Sequence, residues 1–479
     1  MNDNLNAKSK TALIWDLSGA FVRQFAAFFI TLLLCRLLGP LEFGIIGLAL
    51  VFIHISEVFL DAGLTSGLIQ QNKTKDIAFS SIFYVNLATS VALSLLIILS
   101  SSWIADLFEV PKIEEILIWL AIIPPIAAMG KVQDAILTKN LDFKSLTIRS
   151  IVATIVGGVL GVISAYSDFG VFSLVIQQIS MRITATFMLW YATKWRPKLE
   201  YSNFEVKRLF SYSSYVFFDR LLRQVANKID TVFVGLVFSP IVLGYYSRAE
   251  TLKTQVQTYT TNSLSRVIFP MLSQLQDNDE KFKETYFRVF NIVTGLIVFL
   301  VAPLYFLSQF IVIFLLGDQW QPTVIFFQIL VLIALTSPQV NIMGRAILAK
   351  GYSKLKFTTG LLQRVFKLLP ISVGLFYGIE EFAVAMVVSS LLAFFVLSKI
   401  YEKKLGVNFW VQIKNFLVPN FFFIIFIMLH YYYKDVINQW LFAGFFLLIQ
   451  TLYIILIKHD SYLFVKDNIN KVLKAVKTN

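Results

Sequence analysis

Five charged residues crowd the twelve-residue stretch DRLLRQVANKID, Asp219 to Asp230, inside a run from Val206 to Phe238 that otherwise reads as apolar. On a helix, Asp219 and Arg223 stand four residues apart and Asp230 seven further on, so acid, base and acid share one face. The spacing has two readings. Asp219 and Arg223 form a structural i,i+4 ion pair, or the arginines hold an anionic ligand, because a guanidinium offers a planar fork of donors that engages phosphate oxygens in pairs. For Arg223 both readings stand, whereas Arg220, Arg248 and Lys253 outnumber the acids near them and point to ligand binding. The following run carries Arg248, Gln255, Tyr259, Asn262 and Arg266 at helical spacing, with Glu250, Thr254, Gln257 and Thr261 on an adjoining stripe. That helix should border water, with Gln255, Tyr259 and Asn262 as polar lining. Arg23, Arg345 and Arg364 are further cations within apolar runs and complete the candidate anion-binding set.

Carboxylates suggest a second chemistry. His54, Glu57 and Asp61 recur at spacings of three and four, and Asp16 on the preceding span could lie nearby. Intramembrane acids of this kind suit a proton or sodium site, although packing against Arg23 accounts for Asp16 equally well, and His54 reads better as a satisfied buried histidine than as a relay. Cofactor chemistry finds no support. The single cysteine, Cys35, and the scattered His54, His430 and His459 make no metal-ligand cluster, and no Walker A, GxGxxG, HExxH or CxxC pattern occurs. The connections expected outside the membrane, around Ser102 to Glu115 and Ser308 to Pro322, hold no nucleophile-and-base constellation, so an enzyme such as a membrane polymerase or ligase is disfavoured.

The elements that must position these residues are membrane spans. Of 479 residues 57% are apolar and only 15% charged, and apolar runs of bilayer-crossing length recur throughout. Fourteen candidate spans are expected, an all-α polytopic membrane protein. Among basic residues outside the spans, only Arg36, Lys112 and Lys434 fall on the side opposite the N-terminus, which places both termini in the cytoplasm. The net charge of +13 therefore reports topology and not nucleic-acid binding. The N-terminal MNDNLNAKSK leads into a long span bearing Asp16 and Arg23, unlike the short apolar core of a cleaved signal, and should be retained. Twelve basic residues lie inside the spans against seven acids. Exposed to lipid at roughly 3 kcal/mol each they would cost about 36 kcal/mol, so they must face a hydrated interior. A multidrug exporter selecting cations should show the opposite balance.

A shift of 200 residues lays VRQFAAFFITLLLCRLLGPLEFG over LRQVANKIDTVFVGLVFSPIVLG, matching Arg23, Gln24, Ala26, Thr31, Pro40 and Gly44 to Arg223, Gln224, Ala226, Thr231, Pro240 and Gly244. AILTK at Ala135 recurs as AILAK at Ala346. The expected organisation is two parallel six-span lobes, residues 1–200 and 201–405, followed by residues 406–479 with two additional spans and a cytoplasmic tail. Those last spans carry no charged side chain over 415–433 and 437–457. Arg23 and Arg223 each precede a proline by 17 residues, which predicts similar depths on opposite walls of one central cavity.

The segments CRLLGPLEFGIIGLALVFIHISEVFLDAGLTSGLIQQ, SSIFYVNL, LTKNLDFKSL, DFGVFSLVIQQ, NKIDTVFVGLVFSPIVLGYYSRAETL and RVIFPMLSQLQDND resemble, in order and spacing over about residues 10–400, the bacterial polysaccharide flippases of the Wzx type. Their superfamily also holds multidrug-and-toxin exporters and peptidoglycan-precursor flippases. The resemblance implies a V-shaped, two-lobed transporter of the inner membrane that moves undecaprenyl-diphosphate-linked oligosaccharide repeat units to the periplasmic leaflet by alternating access. It also implies glycosyltransferases and a polysaccharide polymerase as working partners. Arg23 lies on the helix that carries diphosphate-holding arginines in the peptidoglycan branch. On that footing Arg220, Arg223, Arg248 and Lys253 are expected to form an anion-binding wall, with Asp219, Asp230 and Glu250 holding the cations between passages.

Overall fold

The computed structural model describes residues 2–61, 63–70, 76–433, 438–456 and 460, and the regular elements among them are all helical. Two units are distinguished, Met1–Ser247 and Arg248–Asn479. The first holds α1 (Asn2–Leu37), α2 (Pro40–Asp61), the short α3 (Leu64–Gln70), α4 (Asp76–Leu107), α5 (Lys112–Leu120), α6 (Ile123–Lys139), α7 (Phe143–Tyr166), α8 (Phe172–Ala192), α9 (Asn203–Val237) and the first turns of α10 (Pro240–Ser273). The second holds the rest of α10, then α11 (Asp279–Phe306), α12 (Ser308–Leu316), α13 (Thr323–Leu330), α14 (Ser337–Ala349), α15 (Ser353–Phe366), α16 (Leu369–Tyr377), α17 (Ile379–Leu405), α18 (Phe409–Tyr433) and α19 (Gln439–Leu456).

Twelve helical segments among the described residues are long and apolar enough to cross a membrane, so the chain is a multi-pass membrane protein. Three of them are broken helices: α5 with α6, α13 with α14, and α15 with α16. The breaks fall beside prolines, Pro124, Pro338 and Pro370, whose rings fit the first turn of a new helix but not the interior of a continuing one. α9 and α10 do not qualify by hydropathy, yet at 35 and 34 residues they are about 50 Å long. Together with the twelve they account for the fourteen spans expected from sequence, and their charge is what hides them.

In the first unit α7 packs on both α1 and α8. Small residues make this possible: a β-carbon on Gly158 would fall 2.1 Å from the Ile30 side chain, and one on Gly157 would fall 2.8 Å from the Gln177 carbonyl oxygen. Lipid tails are as apolar as leucine, so close backbone approach, and not expulsion of water, holds such helices together. α9 packs on α2 and α3. In the second unit α18 and α19 pack on α11, with the buried Phe306 ringed by Phe423, Phe442 and Phe446, while buried Tyr286 donates a hydrogen bond to Gln412 Oε1 at 2.8 Å.

The internal repeat is visible in backbone detail. Leu38 N–H donates to Leu34 O at 2.8 Å, and Phe238 N–H donates to Val234 O at 3.0 Å; Pro40 and Pro240 then open α2 and α10. These two corners meet within the first unit. A β-carbon on Gly44 would lie 1.8 Å from Pro240 O, and one on Gly244 would lie 1.9 Å from Pro40 O, so each corner accepts the other through a glycine that has no tolerable substitute in this packing. Further along, Lys139 donates to Leu68 O at 3.3 Å with its ammonium 5.8 Å from the Phe79 ring centroid, and Lys350 donates to Gln276 O at 2.5 Å with its ammonium 4.5 Å from that of Phe282. The AILTK and AILAK segments thus end in lysines with the same two jobs.

Candidate functional site

The charged residues of the first unit lie on helices that their own sequences make amphipathic only locally. On α2, Glu57 divides its carboxylate: Oε1 pairs with the Arg182 guanidinium of α8, and Oε2 accepts from His54 Nδ1 at 3.3 Å, one turn back on the same helix. Lys131 of α6 is near enough to act on the same carboxylate. The sequence grouped Glu57 with Asp61 and Asp16, but the side chains of Asp61 and Asp16 fall outside the described residues. Among the described residues, Glu57 meets Arg182 of a neighbouring helix and His54 of its own. Arg182 is one of the twelve intramembrane bases, and sequence reasoning assigned it no site. A signal was present, because no acid lies within four residues of Arg182 on its own helix, so its partner had to come from another. Asp134 of α6 similarly pairs with Arg149 of α7.

On α9 the i,i+4 pair forms: the Arg223 guanidinium meets Asp219. Arg223 is nonetheless 63% exposed, against 32% for Asp219, so most of the guanidinium stays open to approach. Arg220 is exposed, one position along from Asp219. Arg23 is also exposed and takes no ion-pair partner among the described residues. It stands 14 residues before the end of α1 at Leu37, and Arg223 stands 14 before the end of α9 at Val237, so the two occupy equal positions along equivalent helices.

In the second unit Lys253 is buried, 6% exposed, and bonded to Glu250 one turn earlier at 2.6 Å. The sequence placed Lys253 among cations exceeding the available acids, yet i,i+3 spacing gives it an acid of its own. Glu250 also accepts from Thr254 Oγ1 at 3.5 Å, a bond within the adjoining polar stripe of α10. Gln257 Nε2 donates to Ser337 Oγ at 2.7 Å, fastening α10 to the N-terminus of α14. Arg248 and Gln255 on α10, Arg345 on α14 and Arg364 on α15 are half-buried. The side chains of Tyr259 and Asn262 lie outside the described residues. Chemically, these side chains offer guanidinium and ammonium donors matched to anionic oxygens, with carboxylates close enough to compete for them.

A family model described as polysaccharide biosynthesis protein matches residues 33–325. The teichuronic acid biosynthesis protein TuaB of Bacillus subtilis is 23% identical over 376 residues, covering 76% of this chain and 77% of that protein. The lipopolysaccharide biosynthesis protein WzxC of Escherichia coli is 20% identical over 378 residues, covering 76% of each. Among solved structures, the lipid II flippase MurJ in an inward closed conformation matches with a TM-score of 0.73 at 16% identity, over 95% of this chain and 100% of that one. At that identity the likeness shows the fold alone.

Proposed function

The chain belongs to the polysaccharide biosynthesis protein family and is of the Wzx type, and from that premise we propose that it flips undecaprenyl-diphosphate-linked oligosaccharide repeat units from the cytoplasmic to the periplasmic leaflet of the inner membrane. The observation that carries this reading is the character of α9 and α10. Among the described residues they are the helices of span length that fail to qualify as spans by apolarity, and each of them bears more basic than acidic residues. A diphosphate crossing a bilayer must exchange its hydration for comparable donors, and arginine supplies them in pairs. Arg23, Arg220 and Arg223 serve this role in the first unit, and Arg248, Lys253, Arg345 and Arg364 in the second. Asp219 and Glu250 release their cations to substrate and recapture them afterwards. Both termini lie in the cytoplasm, and glycosyltransferases and a polymerase work upstream and downstream of the flip. A multidrug exporter of the same fold, selecting cations, is disfavoured by this surplus of bases.

Arg220→Ala and Arg248→Ala should abolish surface polymer in cells while leaving the protein's membrane level near that of the parent, and the corresponding lysine variants should keep part of the activity. Unchanged polymer in the double alanine variant, with unchanged flipping of a polyprenyl-diphosphate glycolipid in proteoliposomes, would sink the proposal.

A further inference from the structure

Between the end of α8 at Ala192 and the start of α9 at Asn203 the chain runs as a strap, residues 193–202, outside any helix. Six candidate spans precede it, so it lies on the same side of the membrane as the N-terminus. The strap is fastened along its length. Lys198 N–H donates to Ser80 Oγ at 3.1 Å and Ser202 N–H donates to Ser81 Oγ at 2.8 Å, both serines being buried on α4. Trp195 packs on the same helix, its ring 6.3 Å from that of Phe79 and 6.1 Å from that of Phe83. The Arg196 guanidinium donates to the carbonyl oxygens of Thr193, Trp195 and Trp190 at 2.7, 2.8 and 3.0 Å, which closes the C-terminal end of α8. A backbone held at so many points cannot fold its outward side chains back. Yet Leu199 is 95% exposed, and Tyr191, Tyr201 and Phe204 around it are exposed as well. Over residues 194–208 five bases, Lys194, Arg196, Lys198, Lys207 and Arg208, stand against two acids, Glu200 and Glu205. Buried Glu205 takes Arg208 at 2.6 Å, and Lys198 lies 3.9 Å from Asp76 in a pair too exposed to hold it firmly. Lys194, Arg196 and Lys207 meet no acid among the described residues.

We propose that the strap is a docking site for anionic phospholipid, in which Leu199 and Phe204 enter the headgroup layer while Lys194, Lys198 and Lys207 meet lipid phosphates. Position and charge both select this occupant. The strap begins directly after the last turn of a span, at the level where hydrocarbon gives way to headgroups and where tyrosine and tryptophan concentrate. Its excess charge is positive, and in the orientation proposed above it faces the cytoplasmic leaflet, whose surface is negative. A free phosphate ion would answer the lysines and leave Leu199 in water. An acidic soluble protein would answer the charge but would have to displace lipid to cover side chains at this depth. The strap joins the two repeats, so its seating on lipid fixes the height at which α9, with Arg220 and Arg223, enters the membrane. The site stands whatever cargo the protein carries.

The test uses the full-length protein carrying Leu199→Cys, labelled with a thiol-reactive NBD fluorophore. Cys35, the single native cysteine, is buried, and the unsubstituted protein measures its background. The labelled protein is reconstituted into vesicles of phosphatidylcholine alone or of phosphatidylcholine with phosphatidylglycerol, each containing lipids with brominated acyl chains. Quenching of the label should be about twofold stronger in the anionic vesicles, and Lys194→Gln, Lys198→Gln and Lys207→Gln together should reduce it to the level in phosphatidylcholine alone. The three lysines and Leu199 are exposed, and the backbone bond of Lys198 survives the change, so folding is not at stake. Raising the salt concentration on the protein with its lysines intact should weaken quenching in the same direction, an independent reading of the charge term. Quenching that ignores phosphatidylglycerol, salt and the three lysines would overturn the proposal, because the fluorophore alone would then be entering the bilayer. A label that stays in water in both kinds of vesicle would overturn it too and leave the surface to a soluble acidic partner.

Discussion

Among the described residues of the first half, three turn their backbones into the left-handed region without being glycine: Glu109, Leu141 and Asp168, with φ of 55°, 58° and 60°. Each follows the end of a helix, where a left-handed residue lets the chain reverse. The corresponding turns of the second half use Gly317, Gly351 and Gly378. A β-carbon in that region costs about 1 kcal/mol, so Glu109→Gly, at an exposed site, should raise thermal stability in detergent by about 0.5–1 kcal/mol. Gly317→Glu should lose more, about 1–3 kcal/mol, because its φ of 105° and ψ of 167° belong to a region that only glycine occupies readily. Thermal unfolding midpoints of the two variants check both signs. Site chemistry at this scale was legible in the sequence where partners are local: Asp219 and Arg223 announce their pairing by spacing alone. Arg182 and Glu57, 125 residues apart, do not, because nothing local says which helix faces which.

Among the helices, the two that matter most for the proposed chemistry are those that hydropathy overlooks. α9 and α10 were still legible as spans through charge placement: their apolar residues and flanking prolines repeat those of α1 and α2, while the added cations fall at helical spacing. The interruptions between α5 and α6 and between α13 and α14 were not legible, since a run such as LAIIPPIAAMG has the composition of one continuous span and its break depends on how the proline rings meet the preceding turn. Within α10 the buried Lys253 depends on Glu250. Glu250→Ala leaves that ammonium without its acid and should destabilise the protein by about 1–3 kcal/mol, a value below that of a fully buried pair because Glu250 is 35% exposed. Glu250→Ala combined with Lys253→Met should recover most of the loss. Thermal shift measurements on the two variants distinguish a charge effect from a packing effect: no recovery in the double variant would mean the pair acts through packing.

At the scale of the whole molecule, the reciprocal meeting of the Pro40–Gly44 and Pro240–Gly244 corners couples the two repeats at a contact that tolerates no added atom. Gly44→Ala and Gly244→Ala should each destabilise by about 1–3 kcal/mol, since the carbonyl oxygens of the opposite corner are backbone and yield only when the whole corner shifts. The double variant should cost clearly less than the sum, because the corner displaced by the first methyl already makes room for the second; additive losses in a double-mutant cycle would show that the contacts are independent. The contact also bears on descent. A patch that receives its own equivalent, with the roles of Gly44 and Gly244 exchanged, is what two identical half-length chains use when they associate about a two-fold axis. In such an ancestor one codon change would strike both sides of the contact at once, and selection would see the doubled penalty. Once two copies are joined in a single reading frame the positions can mutate separately, so α9 can carry charges that α1 lacks while each glycine still faces a backbone oxygen.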